Sequence, residues 1–416
     1  MTLTRRAMLG AIAAATGAAT GAVALPRLGR AQAKPTIKLG VLNDMSGPYR
    51  DDGGPNGVIC CKQALIDFGV PGKGFDVEVI FADHQNKPDV GAGIARQWID
   101  QDGVDAIVDV PTSSVGLAVN QVCREKNKVM LNSGTGTSDL TGKQCSPNTV
   151  HWTYDTYMLA KSTGGATVKQ GGDRWFFITA DYVFGQTLER DTAALVKQAG
   201  GKILGDVKYP FPDTSDFSSM LVRAQASGAK VLGLCNAGGD TANCIKQAQE
   251  FGLMQSMRVV AMLIQSTDIK ALGLATVGGL YYSESYYWDL NDRTRAWNER
   301  VRTKTVNGIW PNMTQAGDYG VTLHYLKAVA DMGVAAAKAD GRAAVERMKK
   351  MPTDDDCFGP GRIREDGRAL HPVYLFQAKT PAESKQPWDV AKVIATTPME
   401  EAFRPLDEGG CPLVKA

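Results

Sequence analysis

Short runs of branched apolar residues alternate along this chain with longer stretches in which apolar residues recur every three or four positions. Thr36–Leu42 (TIKLGVL) is the first short run and predicts a strand. It feeds the loop Asn43–Tyr49. Val58, Cys61, Leu65 and Phe68 then recur at helical spacing, which predicts a helix from about Pro55 to Phe68. Pro71–Gly74 is a turn, and Asp76–Ala82 (DVEVIFA) a second strand. Pro88 opens a second helix, with Ile94 and Trp98 one turn apart. Asp105–Val110 is a short buried strand. The hydroxyls of Thr112, Ser113 and Ser114 follow it as cap signals for a third helix, through about Lys126. Val129–Leu131 is the next strand.

The same grammar restarts after the segment His151–Lys161. Arg174–Ala180, Lys202–Tyr209, Lys230–Cys235 and Arg258–Leu263 read as strands, with helical stretches Gln186–Ala199, Phe217–Ser227 and one ending near Phe251 between them. Strands that alternate with helices predict an α/β fold with doubly wound parallel sheets. The last third is more mixed. Gly278–Tyr287 (GGLYYSESYY) is an aromatic strand, and helices are expected at about Asp292–Thr305, Gly317–Lys338 and Arg342–Lys350. Cys357–Lys379 reads as a hairpin turning at Asp366-Gly367, and the proline-rich tail after Pro381 as an irregular strap.

In parallel sheets of this kind ligands sit at the carboxyl ends of the strands. Three loops of the first half lie there and should share one edge: Asn43–Tyr49 with Ser46 and Tyr49, then Pro111–Ser114 with Thr112, Ser113 and Ser114, then Asn132–Thr137. The last, within KVMLNSGTGTSDLTG (Lys128–Gly142), crowds Ser133, Gly134, Thr135, Gly136 and Thr137 together. Backbone N–H groups and hydroxyls gathered in this way can hold a carboxylate without a lysine or arginine. The competing reading is a glycine-rich turn with capping hydroxyls. Its GxG is not a dinucleotide fingerprint, because no third glycine follows at the required spacing. For Tyr182 and Phe184 the choice is ligand contact or core packing. For the aromatics Tyr281–Trp288, core packing is the stronger reading.

Composition removes several function classes. Hydrophobic residues at 44% and charged residues at 22% suit a globular chain, and a net charge of +2 over 416 residues implies no field for nucleic acid. Arg5-Arg6, the apolar run that follows and Ala31-Gln32-Ala33 resemble a bacterial twin-arginine export signal over residues 1–33, with the mature chain starting near Lys34 and destined for the periplasm. Eight cysteines in an exported chain permit disulfides without fixing their connectivity. Cys235 with Cys244 is one candidate pair, set against two separate small hydrophobes. Four scattered histidines and no zinc spacing give no metal site, and no motif implies a cofactor. No G-x-S-x-G, H-E-x-x-H or P-loop is present, so an enzyme is not expected.

Five segments in order, IKLGVLNDMSGPY, VDVPTSSVGLAVNQVCREKNKVMLNSGTGTSDLTG, ITADYVFGQTLERD, CNAGGDTANCIKQAQEFGL and FGPGRIREDGR, resemble the periplasmic solute-binding proteins of the leucine/isoleucine/valine-binding type. The resemblance implies two lobes joined by crossing hinge segments, one from residues 34–153 with 284–370 and the other from 154–283 with 371–416. It implies a receptor of an ABC importer that meets membrane permease subunits, acts as a monomer, and closes around a small carboxylate-bearing solute. A sensor signalling to a partner protein is the alternative. It places the ligand carboxylate on Thr112–Ser114 and Ser133–Thr137, an aromatic contact at Tyr182–Phe184, and further contacts at Asn236, Ala237, Gly238 and Asp240. Where the family's amino-acid binders carry an acid for the ammonium, this chain has Gln265. An amide does not offset the desolvation of a buried ammonium as a carboxylate does. Asp240 or Glu284 would have to substitute; otherwise the ligand is a carboxylate without an ammonium.

Overall fold

The computed structural model describes residues 34–415, so the export signal expected over residues 1–33 lies outside the described residues. Five strands, β1 (Thr36–Asn43), β2 (Asp76–Asp83), β3 (Ala106–Asp109), β4 (Val129–Asn132) and β5 (Thr149–His151), form one parallel sheet in the order β2-β1-β3-β4-β5. The helices between them wind to both faces. α1 (Gly54–Phe68) covers one face, over Leu39, Val41, Val108 and Leu131. α2 (Pro88–Gln97) and α3 (Ser113–Lys126) cover the other, where Val115 and Val119 meet Leu42, Ile107 and Met130. With both faces covered, β3 and β4 are buried at every position, which is why they read as continuous apolar runs.

The second lobe repeats the plan. β6 (Arg174–Ala180), β7 (Lys202–Tyr209), β8 (Val231–Cys235) and β9 (Arg258–Ala261) form a parallel sheet ordered β7-β6-β8-β9. Its helices are α4 (Val183–Gln198), α5 (Ser218–Ala226), α6 (Gly238–Glu250) and α7 (Ser266–Leu272). After β10 (Tyr281–Glu284), α8 (Asp292–Val301) leads to α9 (Met313–Met332), which packs on α1 and is buried along most of its length.

The C-terminal part differs from the sequence reading in two places. The hairpin turning at Asp366-Gly367 exists as β12 (Gly359–Ile363) against β13 (Ala369–Leu370), with β11 (Thr353–Asp355) outside β12. It stops there, because β14 (Val373–Ala378) pairs instead with β10 and β15. The tail is not only a strap: β15 (Ala391–Thr397) is an edge strand of that antiparallel sheet. Its outer positions are exposed, so it lacks the apolar alternation that marks a half-buried strand.

The segments between the lobes are welded by a buried arginine. Arg368, fully buried, donates to Asp155 Oδ2 at 3.3 Å and to the carbonyls of Thr153 and Ala369. His371 Nε2 lies 2.7 Å from the carbonyl of Trp152. The cysteine pairing is Cys145–Cys411, which ties the tail to the first lobe across 266 residues. Cys235 and Cys244 are free, correcting the candidate pair. The Cys235 thiol at the end of β8 faces Thr179 and Glu189, while Cys244 on α6 receives a hydrogen bond from Asn236 Nδ2 at 3.5 Å.

Candidate functional site

In each sheet the winding reverses between two neighbouring strands, β1 and β3 in the first lobe and β6 and β8 in the second. Crevices open at such reversals, beyond the carboxyl ends of the strands. The loops after these four strands face one another and enclose a narrow space of about 10 Å³. Tyr49 and Asp52 enter it from the β1 loop, Pro111 from β3, Tyr154 from the segment after β5, Tyr182 and Phe184 from β6, Ala237 from β8, Leu263 from β9, and Thr314 from the first turn of α9.

The lobes touch directly around this space. Tyr49 and Tyr182 bring their hydroxyls to 2.5 Å, and both rings stack on Phe211, at centroid distances of 5.4 and 4.3 Å. Gly239 N donates to Pro48 O at 3.2 Å. The Gln265 amide pairs with Thr314, Nε2 donating to Oγ1 at 3.2 Å and Oε1 accepting from Thr314 N at 3.3 Å. Thr137 and Thr187 hydroxyls meet at 3.2 Å.

The hydroxyl loops lie side by side, and most of their groups already have partners. Thr112 Oγ1 donates to Asn86, Ser113 Oγ accepts from Thr137 N at 3.1 Å, and Thr135 Oγ1 donates to Val110 O at 2.5 Å. Ser133 donates to Asp318, and the Gly134 carbonyl accepts from Tyr154 OH at 2.9 Å. Gly136 leaves no room for a Cβ, which would sit 2.8 Å from both Phe184 and Tyr154. Ser114 is half-buried in the first turn of α3. Thr112 occupies the N-cap of α3 without a side-chain cap bond, as do Tyr182 at α4 and Ala237 at α6. Three helix N-termini without side-chain caps therefore converge from two lobes, each with first-turn N–H groups and a positive dipole end. Asn236 is taken up by Thr241 at 2.7 Å, and Asp240 by Tyr209 OH at 2.7 Å. Ser46 is exposed and donates to Asp83 at 2.7 Å.

Asp52, Tyr154 and Thr314 escaped sequence reasoning, while Pro111 and Leu263 lie in loops it places at the strand ends. Asp52 sits in a DDGGPN stretch that reads as a turn, and Tyr154 in a segment without clear periodicity. Asp52 is buried and its Oδ1 has no partner. Burial and then the charges of Asp268 and Asp51 hold its carboxyl well above the usual carboxylate range; the Gln265 amide works against them. Beneath the hydroxyl loops lies a second acidic feature, Asp109 at the end of β3 beside Asp318 on α9. Burial pushes Asp109 up to about 7, and burial plus the charge of Asp109 raises Asp318. Asp109 and Val110 both hold positive φ, 77° and 64°, a conformation that strains a β-branched residue and marks functional turns.

A family description, Periplasmic binding protein, matches residues 36–386. The chain belongs to the periplasmic binding protein family. Among solved structures it is similar to a periplasmic binding protein from Burkholderia mallei, with 47% identity over 91% of this chain and 99% of that one and a TM-score of 0.87. It is also similar to a branched chain amino acid ABC transporter periplasmic ligand-binding protein from Burkholderia xenovorans, with 36% identity over 91% and 99% and a TM-score of 0.79. An ABC transporter solute binding protein from R. palustris in complex with benzoate shares the fold at 19% identity over 91% and 99%, with a TM-score of 0.78. No curated protein sequence matches the chain. Its family and these neighbours are solute-binding proteins, which implies a small-molecule ligand and a membrane permease as partners and an extracytoplasmic place of work. No helix among the described residues is long and apolar enough to cross a membrane.

Proposed function

We propose that this periplasmic binding protein is the receptor of an ABC importer and captures a small carboxylate-bearing solute, acting as a monomer whose lobes close around the ligand. The observation that carries the reading is the convergence of the N-termini of α3, α4 and α6 on one aromatic-walled space between two lobes. Helix N-termini hold an anion by N–H groups and dipole, so the carboxylate needs no buried lysine or arginine. In this reading Thr112–Ser114 and Ser133–Thr137 are the carboxylate side of the site, with their internal bonds fixing the loops and backbone N–H groups presented to the ligand. Tyr49, Tyr182, Phe184, Ala237 and Leu263 hold the apolar body. Neighbours described as a branched chain amino acid transporter protein and as a benzoate complex support the same class of solute. A ligand that touches both lobes stabilises the closed state and shifts the population towards it. The test is a thermal-shift panel of amino acids and organic acids on the purified chain, with mass spectrometry of any co-purified ligand. A binder raises the melting temperature because it binds the folded state alone. A panel without any stabilising carboxylate refutes the proposal.

A further inference from the structure

We infer that Phe211 latches the mouth of the cleft and sets how fast a bound solute escapes, without choosing which solute binds. The inference rests on the receptor reading above and names a positioning residue for the same site. The chain leaves the first sheet after β5 and the second after β9, and β10 packs beside β9. Those edges are the crossing side of the molecule. β2 and β7 are the opposite edges of the two sheets. Phe211 follows β7 directly, so it stands at the side of the cleft where hinge motion parts the lobes furthest.

The loop holds the ring in place. Pro210 and Pro212 flank Phe211, and each fixes its own φ. Thr214 Oγ1 donates to Pro210 O at 2.6 Å. Gln247 on α6 ties the far end, Nε2 donating to Ser215 O at 2.9 Å and Oε1 accepting from Phe217 N at 2.8 Å. The half-buried ring stacks on Tyr182 of its own lobe, at 4.3 Å with planes 17° apart, and on Tyr49 of the other lobe, at 5.4 Å and 21°. Tyr182 leads inward to Phe184 at 6.2 Å. Tyr49, Tyr182 and Phe184 line the enclosed space, and Phe211 does not. The Tyr182 stack lies within one lobe and survives opening, whereas the Tyr49 stack exists only when the lobes meet. A solute inside leaves after that stack and the Tyr49–Tyr182 hydroxyl contact have broken. The stack stabilises the closed state and touches no atom of the solute, so it slows the escape of every solute alike.

The test titrates the twenty amino acids, benzoate and 4-hydroxybenzoate calorimetrically into the wild-type chain and into Phe211→Ala, Phe211→Leu and Phe211→Tyr, and follows association and release of each binder by stopped-flow fluorescence. We expect Phe211→Ala to release every binder about tenfold faster than wild type, the scale of one lost ring stack with its apolar contact, and association to stay within about threefold. The ratio of affinities between any two binders should also stay within about threefold of wild type. Phe211→Tyr keeps the stacking face and should release at the wild-type rate. Phe211→Leu, apolar but without a ring, should fall between the two, and it decides the matter if the alanine variant does not fold. Release at the wild-type rate from Phe211→Ala and Phe211→Leu overturns the inference and leaves the carboxylate receptor standing. Affinity ratios that shift further than threefold overturn it as well, because Phe211 then touches the solute. Release from Phe211→Tyr as fast as from Phe211→Ala shows that the ring stack is not the latch. Silence of the wild-type chain across all compounds refutes the receptor reading and the latch with it.

Discussion

Gly238 offers the sharpest way to separate lobe closure from folding. A Cβ at this position would lie 2.4 Å from the carbonyl oxygen of Pro48 on the other lobe, and the residue holds φ +56°. Gly238→Ala therefore has two effects that act on different equilibria. The left-handed conformation costs alanine about 1–2 kcal/mol whether the lobes are open or closed, which lowers the melting temperature by a few degrees. The clash exists only when the lobes meet. Relieving it to ordinary contact needs a separation of about 1 Å, which breaks the bond from Gly239 N to Pro48 O and parts the Tyr49–Tyr182 hydroxyls. Each lost bond is worth about 1 kcal/mol, so the closed state loses about 2 kcal/mol and ligand affinity falls about 30-fold. Calorimetry with the tightest solute from the panel reads the affinity, and small-angle scattering of the saturated protein reads closure. Gly239→Ala is the control, since the nearest atom to its new methyl is 3.9 Å away. The reasoning is wrong if Gly238→Ala binds within about threefold of wild type, or if Gly239→Ala weakens binding equally.

Three further outcomes are expected. Asp109 and Asp318 hold protons in the folded chain to higher pH than in the unfolded one, so wild-type stability falls as pH rises from about 4 to about 7, by about 1.4 kcal/mol per pH unit for each proton held. Asp318→Asn, which puts a donor beside Asp109, should flatten that slope in denaturant titrations; an unchanged slope would show that the pair does not share a proton. Tyr182→Phe removes the hydroxyl that meets Tyr49 across the lobes and should weaken binding about fivefold by calorimetry, with the melting temperature of the ligand-free chain nearly unchanged. Cys411→Ser opens a bridge spanning 266 residues and should cost about 2–5 kcal/mol in a denaturant melt, with loss of protection from proteolysis beginning in the tail.

The fold was readable because its strands are buried on both faces and its helices on one. Those two periods appear in Thr36–Leu42 and in Val58–Phe68 without any tertiary information. The position of the candidate site follows from the same pattern, since the loops after parallel strands must share an edge. The wall of the site did not follow. Asp52 and Tyr154 carry no periodic signal, and Thr314 looks like any residue at a helix start; only the approach of the two lobes turns them inward. The hydroxyl-rich loop shows the converse. Its composition announces hydrogen bonding, but composition does not say that Thr112, Thr135 and Ser133 spend their hydroxyls on Asn86, Val110 and Asp318. Cys145 and Cys411 are too far apart in sequence for any spacing rule to pair them.

Those internally satisfied hydroxyls bear on how such a receptor changes its ligand over evolutionary time. Because these hydroxyls are spent on partners within the protein, the loop backbone to which the proposed function assigns the carboxylate keeps its shape whichever solute arrives. In that reading selectivity is left to a handful of lining side chains at loop tips and first helical turns, among them Asp52, Phe184 and Leu263. Each can be exchanged without disturbing a sheet, a hinge or the frame behind it. A new diet for the cell would then be a few substitutions away, reached through intermediates that still fold and still close.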